Sequence, residues 1–153
     1  MSRFQQGFYT PKHLDKYVVN PFQPTKKPGG SPRIRYLSSW ELQLHEFFDN
    51  NPNVIRWSSE GVAIPYVQPT DGKIHRYYPD YWVEFRNTRG QIVQEIIEVK
   101  PKTQTRAPRA NSKRKLLEAV QYAVNIAKWR ACQQWCKQRN IAFRVVTETS
   151  IFK

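Results

Sequence analysis

Hydrophobic and polar positions alternate most regularly between residues 78 and 101. Tyr78-Pro79-Asp80-Tyr81-Trp82-Val83-Glu84-Phe85 and Ile92-Val93-Gln94-Glu95-Ile96-Ile97-Glu98-Val99-Lys100-Pro101 are rich in β-branched and aromatic residues, and the polar break Asn87-Thr88-Arg89-Gly90 lies between them. The pattern predicts a β-hairpin. Successive strand side chains point to opposite faces, so Val93, Ile97 and Val99 share an apolar face, while Glu98 and Lys100 sit side by side on the other. Asp80 stands at the entry of the first arm, where pairing brings its carboxylate toward Glu98.

The period changes on either side of this hairpin. Ser38-Ser39-Trp40-Glu41 opens a helix with a serine N-cap; it runs to about Asp49 and is stopped by Asn50-Asn51-Pro52. Glu41 borders its apolar face, with Leu37, Leu44 and Phe48 at helical spacing, whereas Glu46 and Asp49 read as solvated. Residues 54–60 and 62–67 read as strands around Gly61. Thr70-Asp71-Gly72-Lys73 is a hairpin turn leading into a strand at 74–78. A long helix is predicted over 112–139. Leu117, Val120, Val124, Ala127, Ala131 and Trp135 form its core-facing stripe, and Arg114, Glu118, Gln121, Asn125 and Lys128 a neighbouring polar one. Asn140 caps that helix, and 141–147 is a last strand. The order helix, antiparallel strands, helix, strand makes this an α/β chain with a central mixed sheet flanked by helices.

Residues 1–36 carry a different composition. Up to Leu37 there are five prolines, a Gly29-Gly30 pair and seven Lys or Arg against the single acid Asp15. This favours an extended, Pro-rich basic N-terminal arm ahead of a folded domain at 37–153. The arm could wrap a partner subunit, lie along DNA, or be a loosely ordered terminus; Phe4, Phe8, Tyr9, Tyr17 and Phe22 suggest docking on this domain or a neighbour.

Charge narrows the class of partner. The 153 residues carry 25 Lys plus Arg against 12 Asp plus Glu, a net +13, which points to a polyanion, nucleic acid first. No long apolar run, basic amphipathic anchor or signal peptide favours a membrane, and a soluble intracellular protein is expected. Cys132 and Cys136 lie four apart in one predicted helix, and His13, His45 and His75 show no zinc-ligand spacing, so reduced thiols with packing roles are expected. From Lys100 to Lys115 there are seven basic residues and no acid. Lys102, Arg106, Arg109, Lys113, Arg114 and Lys115 are candidate phosphate contacts beside the hairpin, with Lys128 on the polar stripe; a solvated loop and helix face are the alternative.

Asp80, Glu98 and Lys100 then suggest a chemistry. Mg²⁺ takes oxygen ligands and uses one or two protein carboxylates, leaving its other positions to water and substrate phosphate, which Asp80 and Glu98 suit. A lysine beside it could orient or deprotonate an attacking water or balance charge in the transition state, which Lys100 suits. Glu-x-Lys on a strand is also a common solvated face. Glu41, on the buried side of its helix, needs a partner: a metal, a lysine or a solvated rim, unless it is only an acid favoured at a helix N-terminus.

An acid-bearing helix, a Pro79-Asp80 strand entry and Glu98-Val99-Lys100 on the next strand are together similar to the PD-(D/E)xK nuclease core. The wider pattern is Tyr36-Leu37-Ser38-Ser39-Trp40-Glu41, Asn51-Pro52-Asn53-Val54, Ile64-Pro65-Tyr66, His75-Arg76-Tyr77-Tyr78-Pro79-Asp80, Ile96-Ile97-Glu98-Val99-Lys100-Pro101, Ala127-Lys128-Trp129 and Phe143-Arg144-Val145-Val146-Thr147-Glu148. It resembles the head completion nucleases of contractile-tailed phages, related to the endonuclease subunit of heteromeric transposases, over about residues 33–152. The resemblance implies a restriction-endonuclease-like fold and a metal-dependent DNA endonuclease acting in head completion after packaging. It further implies Glu41, Asp80 and Glu98 around one or two Mg²⁺ ions, with Mn²⁺ as an alternative, and Lys100 beside the attacking water. Where the transposase subunit has a glutamine, Glu98 supplies a full carboxylate. Double-stranded DNA and portal, neck or other head proteins are the partners it suggests, in the host cytoplasm during virion assembly or on the virion. Whether the chain dimerises is open, and the arm before Tyr36 finds no counterpart in the family. A non-catalytic head or neck protein that binds DNA and a Holliday-junction resolvase are the competing readings.

Overall fold

The computed structural model describes residues 6–22, 32–107 and 113–151. Its elements in order are β1 (Gly7–Tyr9), β2 (Ile34–Tyr36), α1 (Ser39–Asn50), β3 (Val54–Ser59), β4 (Ile64–Val67), β5 (Ile74–Tyr77), β6 (Tyr81–Arg86), β7 (Ile92–Val99), α2 (Lys113–Gln138), β8 (Ala142–Val146) and α3 (Glu148–Ile151). Short 3-10 turns lie at Leu14–Lys16 and Lys102–Thr105.

The central sheet has the order β3-β6-β7-β8. Its first three strands are antiparallel, and β8 joins β7 in parallel after the α2 crossover, as a strand–helix–strand connection requires. The β6–β7 turn is closed by Asn87, whose side-chain oxygen accepts from the Arg89 and Gln91 amides, while Gly90 takes φ +78°, a conformation glycine adopts without steric cost. The sheet is buried on both faces. Phe48 of α1 packs with Val54, Trp57, Tyr81, Val83, Ile97 and Val146 on one; Trp82 and Ile96 meet Val124, Cys132 and Cys136 of α2 on the other, joined by Ile64, Tyr66 and Tyr77 of the β4–β5 hairpin. Helix-over-sheet-over-helix layering with a mixed sheet is the α/β architecture expected.

Both long helices end as their sequences dictate. Ser38 caps α1 by accepting the Glu41 amide at 3.2 Å. At the far end of α2, Asn140 takes φ +56° while its amide bonds Lys137 O and the Ile141 amide bonds Cys136 O, a Schellman closure.

Three expectations are corrected. Leu117 and Val120 are 72% and 42% exposed, and the buried stripe of α2 begins only at Val124, continuing through Cys132 and Cys136. A 26-residue helix is about 39 Å long, while strands of five to eight residues reach roughly 17–27 Å, so the first turns of α2 run past the sheet. Asn125, expected on a polar face, is 2% exposed, and its Oδ1 accepts from the side-chain Nε2 of Gln121. Asp49 is fully buried rather than solvated.

The cause of that burial is the N-terminal region. β1 pairs with β2, and the chain then crosses the C-terminal end of α1, where Asp49 accepts the Tyr9 hydroxyl and the Lys12 and His13 amides. Lys16 Nζ donates to the carbonyls of Asp49 and Asn51, Tyr17 packs edge-on against Trp57, and Phe22 does so against Trp135. The described part of the arm is therefore docked on this domain. Cys132 and Cys136 are free thiols 3.9 Å apart, and among the described residues no helix is long and apolar enough to cross a membrane.

Candidate active site at the end of the central hairpin

The β6–β7 register sets Tyr81 opposite Ile97 and therefore Asp80 opposite Glu98, on the α2 side of the sheet. Asp80 Oδ2 accepts the Val99 amide at 2.7 Å, which fixes the carboxyl against the end of β7. Glu98 is 5% exposed, and its Oε2 accepts the Tyr77 hydroxyl. Burial lifts Asp80 well above the usual carboxylate range; the charge of Glu98 and a hydrogen bond shared with it lift it further, and only the Val99 amide opposes. Two carboxyls forced together in this way oppose a second negative charge unless a cation lies beside them.

Lys100 follows on the same face. Its amide donates to Val146 O at 2.9 Å, continuing the β7–β8 ladder one residue past the strand, and the residue is half-buried. Asp80 and Glu98 are thus in contact, and Lys100 lies two residues further along the same face.

Glu41 is held differently. Its Oε2 accepts the Leu37 amide at 2.6 Å while its own amide bonds the Ser38 hydroxyl, a reciprocal cap close to the capping box. Burial raises its pKa, the Leu37 bond opposes, and the charges of Glu60 and Glu98 add to the rise, so it shares the electrostatic field of the pair without touching it. Among the described residues no three acids, histidines or cysteines converge into a metal cage. The donor set that does converge, two hard carboxylate oxygens and no sulfur, suits Mg²⁺ or Mn²⁺.

Two neighbours were invisible in the sequence pattern. Glu60 takes the left-handed φ of +53° ahead of Gly61, and its amide bonds Asp80 O at 3.0 Å, bracing the residue from behind. Tyr77, read only as part of a strand, reaches Glu98 from the neighbouring hairpin.

The basic candidates divide. Arg106 and Lys115 line a cleft of about 460 Å³ between the turn after Lys100 and α2, with Thr103, Gln104, Glu118, Gln121, Tyr122 and Asn125. Lys102 is exposed on the same turn, its amide bonded to Glu148, and Lys115 pairs with Glu118 at 3.2 Å. Lys128 stands over the rings of Tyr66 and Tyr77 at 5.9 and 5.8 Å, on the Glu98 side of the sheet. Arg109 and the side chains of Lys113 and Arg114 lie outside the described residues.

A mixed sheet between helices, with an acid pair and a lysine at the end of its central hairpin, is the restriction-endonuclease-like core of a nuclease. The chain belongs to the TnsA-like endonuclease family: the model of that family's N-terminal domain matches residues 51–148. It is also 35% identical over 152 residues to the head completion nuclease of Enterobacteria phage T4, covering 95% of this chain and 92% of that protein. At that coverage the similarity takes in most of the N-terminal region, for which the sequence pattern alone offered no counterpart.

Proposed function

We propose that this protein is a divalent-metal-dependent endodeoxyribonuclease acting in phage head completion, after DNA has been packaged. The observation that carries this reading is the apposition of the Asp80 and Glu98 carboxyls at the end of β7, two residues from Lys100. When bound, Mg²⁺ or Mn²⁺ supplies Lewis acidity at the phosphate and lowers the pKa of a nearby water. Asp80, held by the Val99 amide, and Glu98, held by Tyr77, would present oxygens to that ion, with Glu41 the third acid of the proposed set. Lys100 orients the attacking water and balances charge that gathers on the phosphate. The water oxygen bonds to phosphorus as it gives up a proton to solvent, the bond from phosphorus to the 3′ oxygen breaks, and that oxygen takes a proton from solvent and leaves as a hydroxyl.

Lys102, Arg106, Arg109, Lys113, Arg114, Lys115 and Lys128 hold the backbone of double-stranded DNA. Phosphate contacts position a duplex without reading its sequence, which suits a nuclease acting on whatever end or junction a filled head presents. Portal or neck proteins are the partners through which such a basic nuclease would be confined to its place of action, in the host cytoplasm or on the virion.

Nicking of supercoiled plasmid in Mg²⁺ against EDTA tests the reading, with wild type, Asp80→Ala and Lys100→Ala, all shown to be folded. Metal-dependent cutting by wild type alone supports it. No cutting by wild type together with tight, salt-sensitive DNA binding would instead make the chain a DNA-binding head protein, and cleavage confined to four-way junctions by a dimer would make it a resolvase.

A further inference from the structure

Tyr77 is 4% exposed and ends β5, in the small hairpin that packs beside α2 rather than in the sheet that carries the acids. Its hydroxyl nevertheless reaches Oε2 of Glu98. Its ring is covered by the ammonium of Lys128, which also lies over Tyr66, and Tyr66 in turn donates to Gln68 at 2.6 Å. A buried glutamate facing a buried, clamped phenol cannot turn freely.

That restraint has a coordination consequence. With Oε2 engaged by Tyr77 and Oδ2 of Asp80 by the Val99 amide, each carboxylate keeps one oxygen to offer. A hydrogen bond to one oxygen takes up one of its lone pairs and fixes the plane of the carboxylate, which favours a cation at the other oxygen, whereas chelation needs both turned toward the ion. Mg²⁺ is octahedral at 2.0–2.1 Å and satisfied by single oxygens; Ca²⁺ takes 6–8 ligands and favours chelating carboxylates.

Resting on the metal-site reading above, we propose that Tyr77 is a positioning residue that holds Glu98 to one-oxygen coordination and so sets the preference of the site for Mg²⁺ over Ca²⁺. The hydroxyl achieves this from outside the sheet, by denying the second oxygen to a larger ion.

Calorimetric titration of EDTA-stripped protein with MgCl₂ and with CaCl₂ tests this for wild type, Tyr77→Phe and Asp80→Asn. Tyr77→Phe keeps the buried ring and loses only the hydroxyl. The expected result is a shift of the Ca²⁺/Mg²⁺ affinity ratio toward Ca²⁺ by about tenfold, equivalent to about 1.4 kcal/mol. A ratio within twofold of wild type, with binding abolished in Asp80→Asn, would overturn the role of Tyr77 and leave the metal site standing. Binding of neither ion by wild type would overturn both. Wild type offers a reading independent of the variant's folding: Ca²⁺ binding tighter than Mg²⁺ sinks the proposal.

Discussion

Asp80 carries a charge that the folded chain disfavours and that the proposed chemistry requires. Asp80→Asn keeps an oxygen for the Val99 amide and can donate to Glu98, so in EDTA it should melt above wild type, on the order of 2–4 °C, while losing plasmid cutting. Differential scanning calorimetry beside the nicking assay checks this, and a lower melting temperature would remove the argument for a strained acid pair. Glu41→Gln separates cap from catalysis. Glutamine also serves a capping box, so the melting temperature should hold while cutting falls by roughly 10²–10³, the usual loss of one electrostatic contact to a transition state. His45 gives a pH signature. Burial drives its pKa down to about 4, against a smaller upward pull from Arg35 O, and Nδ1 meets the Tyr81 hydroxyl at 2.7 Å. The unfolded chain takes up that proton near pH 6.5 and the folded chain only near 4. The contribution of neutral His45 is therefore complete above about pH 6.5 and lost on acidification toward pH 4, roughly 3 kcal/mol in all. The difference between urea midpoints of wild type and His45→Gln should narrow over that window; a constant difference would contradict it.

At the scale of elements, the Asp49 side chain is the acceptor for three donors in the clamp between the N-terminal region and α1. Asp49→Ala strands the Tyr9 hydroxyl and the Lys12 and His13 amides, and should cost on the order of 2–4 kcal/mol in urea denaturation while making Lys12 and Lys16 early trypsin sites. What the sequence reveals follows the range of the interactions. The β6–β7 hairpin, the Ser38 cap and the Asn140 closure are written in residues a few positions apart, and all three are legible. Asp80, Glu98 and Lys100 follow from strand alternation plus one hairpin register. The burial of Asp49 comes from partners 36 to 40 positions earlier, and nothing in the period of α1 records it. Leu117 and Val120 keep helical spacing with the core stripe, because periodicity identifies a face and says nothing of where the sheet beneath it ends. Tyr77 was hidden for the same reason as Asp49: its target belongs to another sheet.

For the whole molecule, the +13 charge is divided between the N-terminal region and the stretch after Lys100. Affinity for a duplex, read by fluorescence anisotropy in EDTA so that no strand is cut, should fall steeply and linearly in log–log form with salt. Replacing Lys102 and Arg106 together by alanine should reduce that slope by about 2 and weaken all sequences alike. A slope unchanged in the double variant would move the binding surface away from the cleft beside α2.

On the proposed reading, the parallel pairing of β7 with β8 would also set when the site comes into being. The amide of Lys100 is anchored on Val146 O, and β7 has β8 as its second neighbour, so during synthesis the strand that carries Glu98 waits for a segment translated more than forty residues later. Until 142–146 emerge, one edge of β7 is unpaired and Lys100 has nothing to fix its backbone. On the proposed reading, a nascent chain would carry its basic charge before it could cut, and the ability to cut would arrive only with the closing strand.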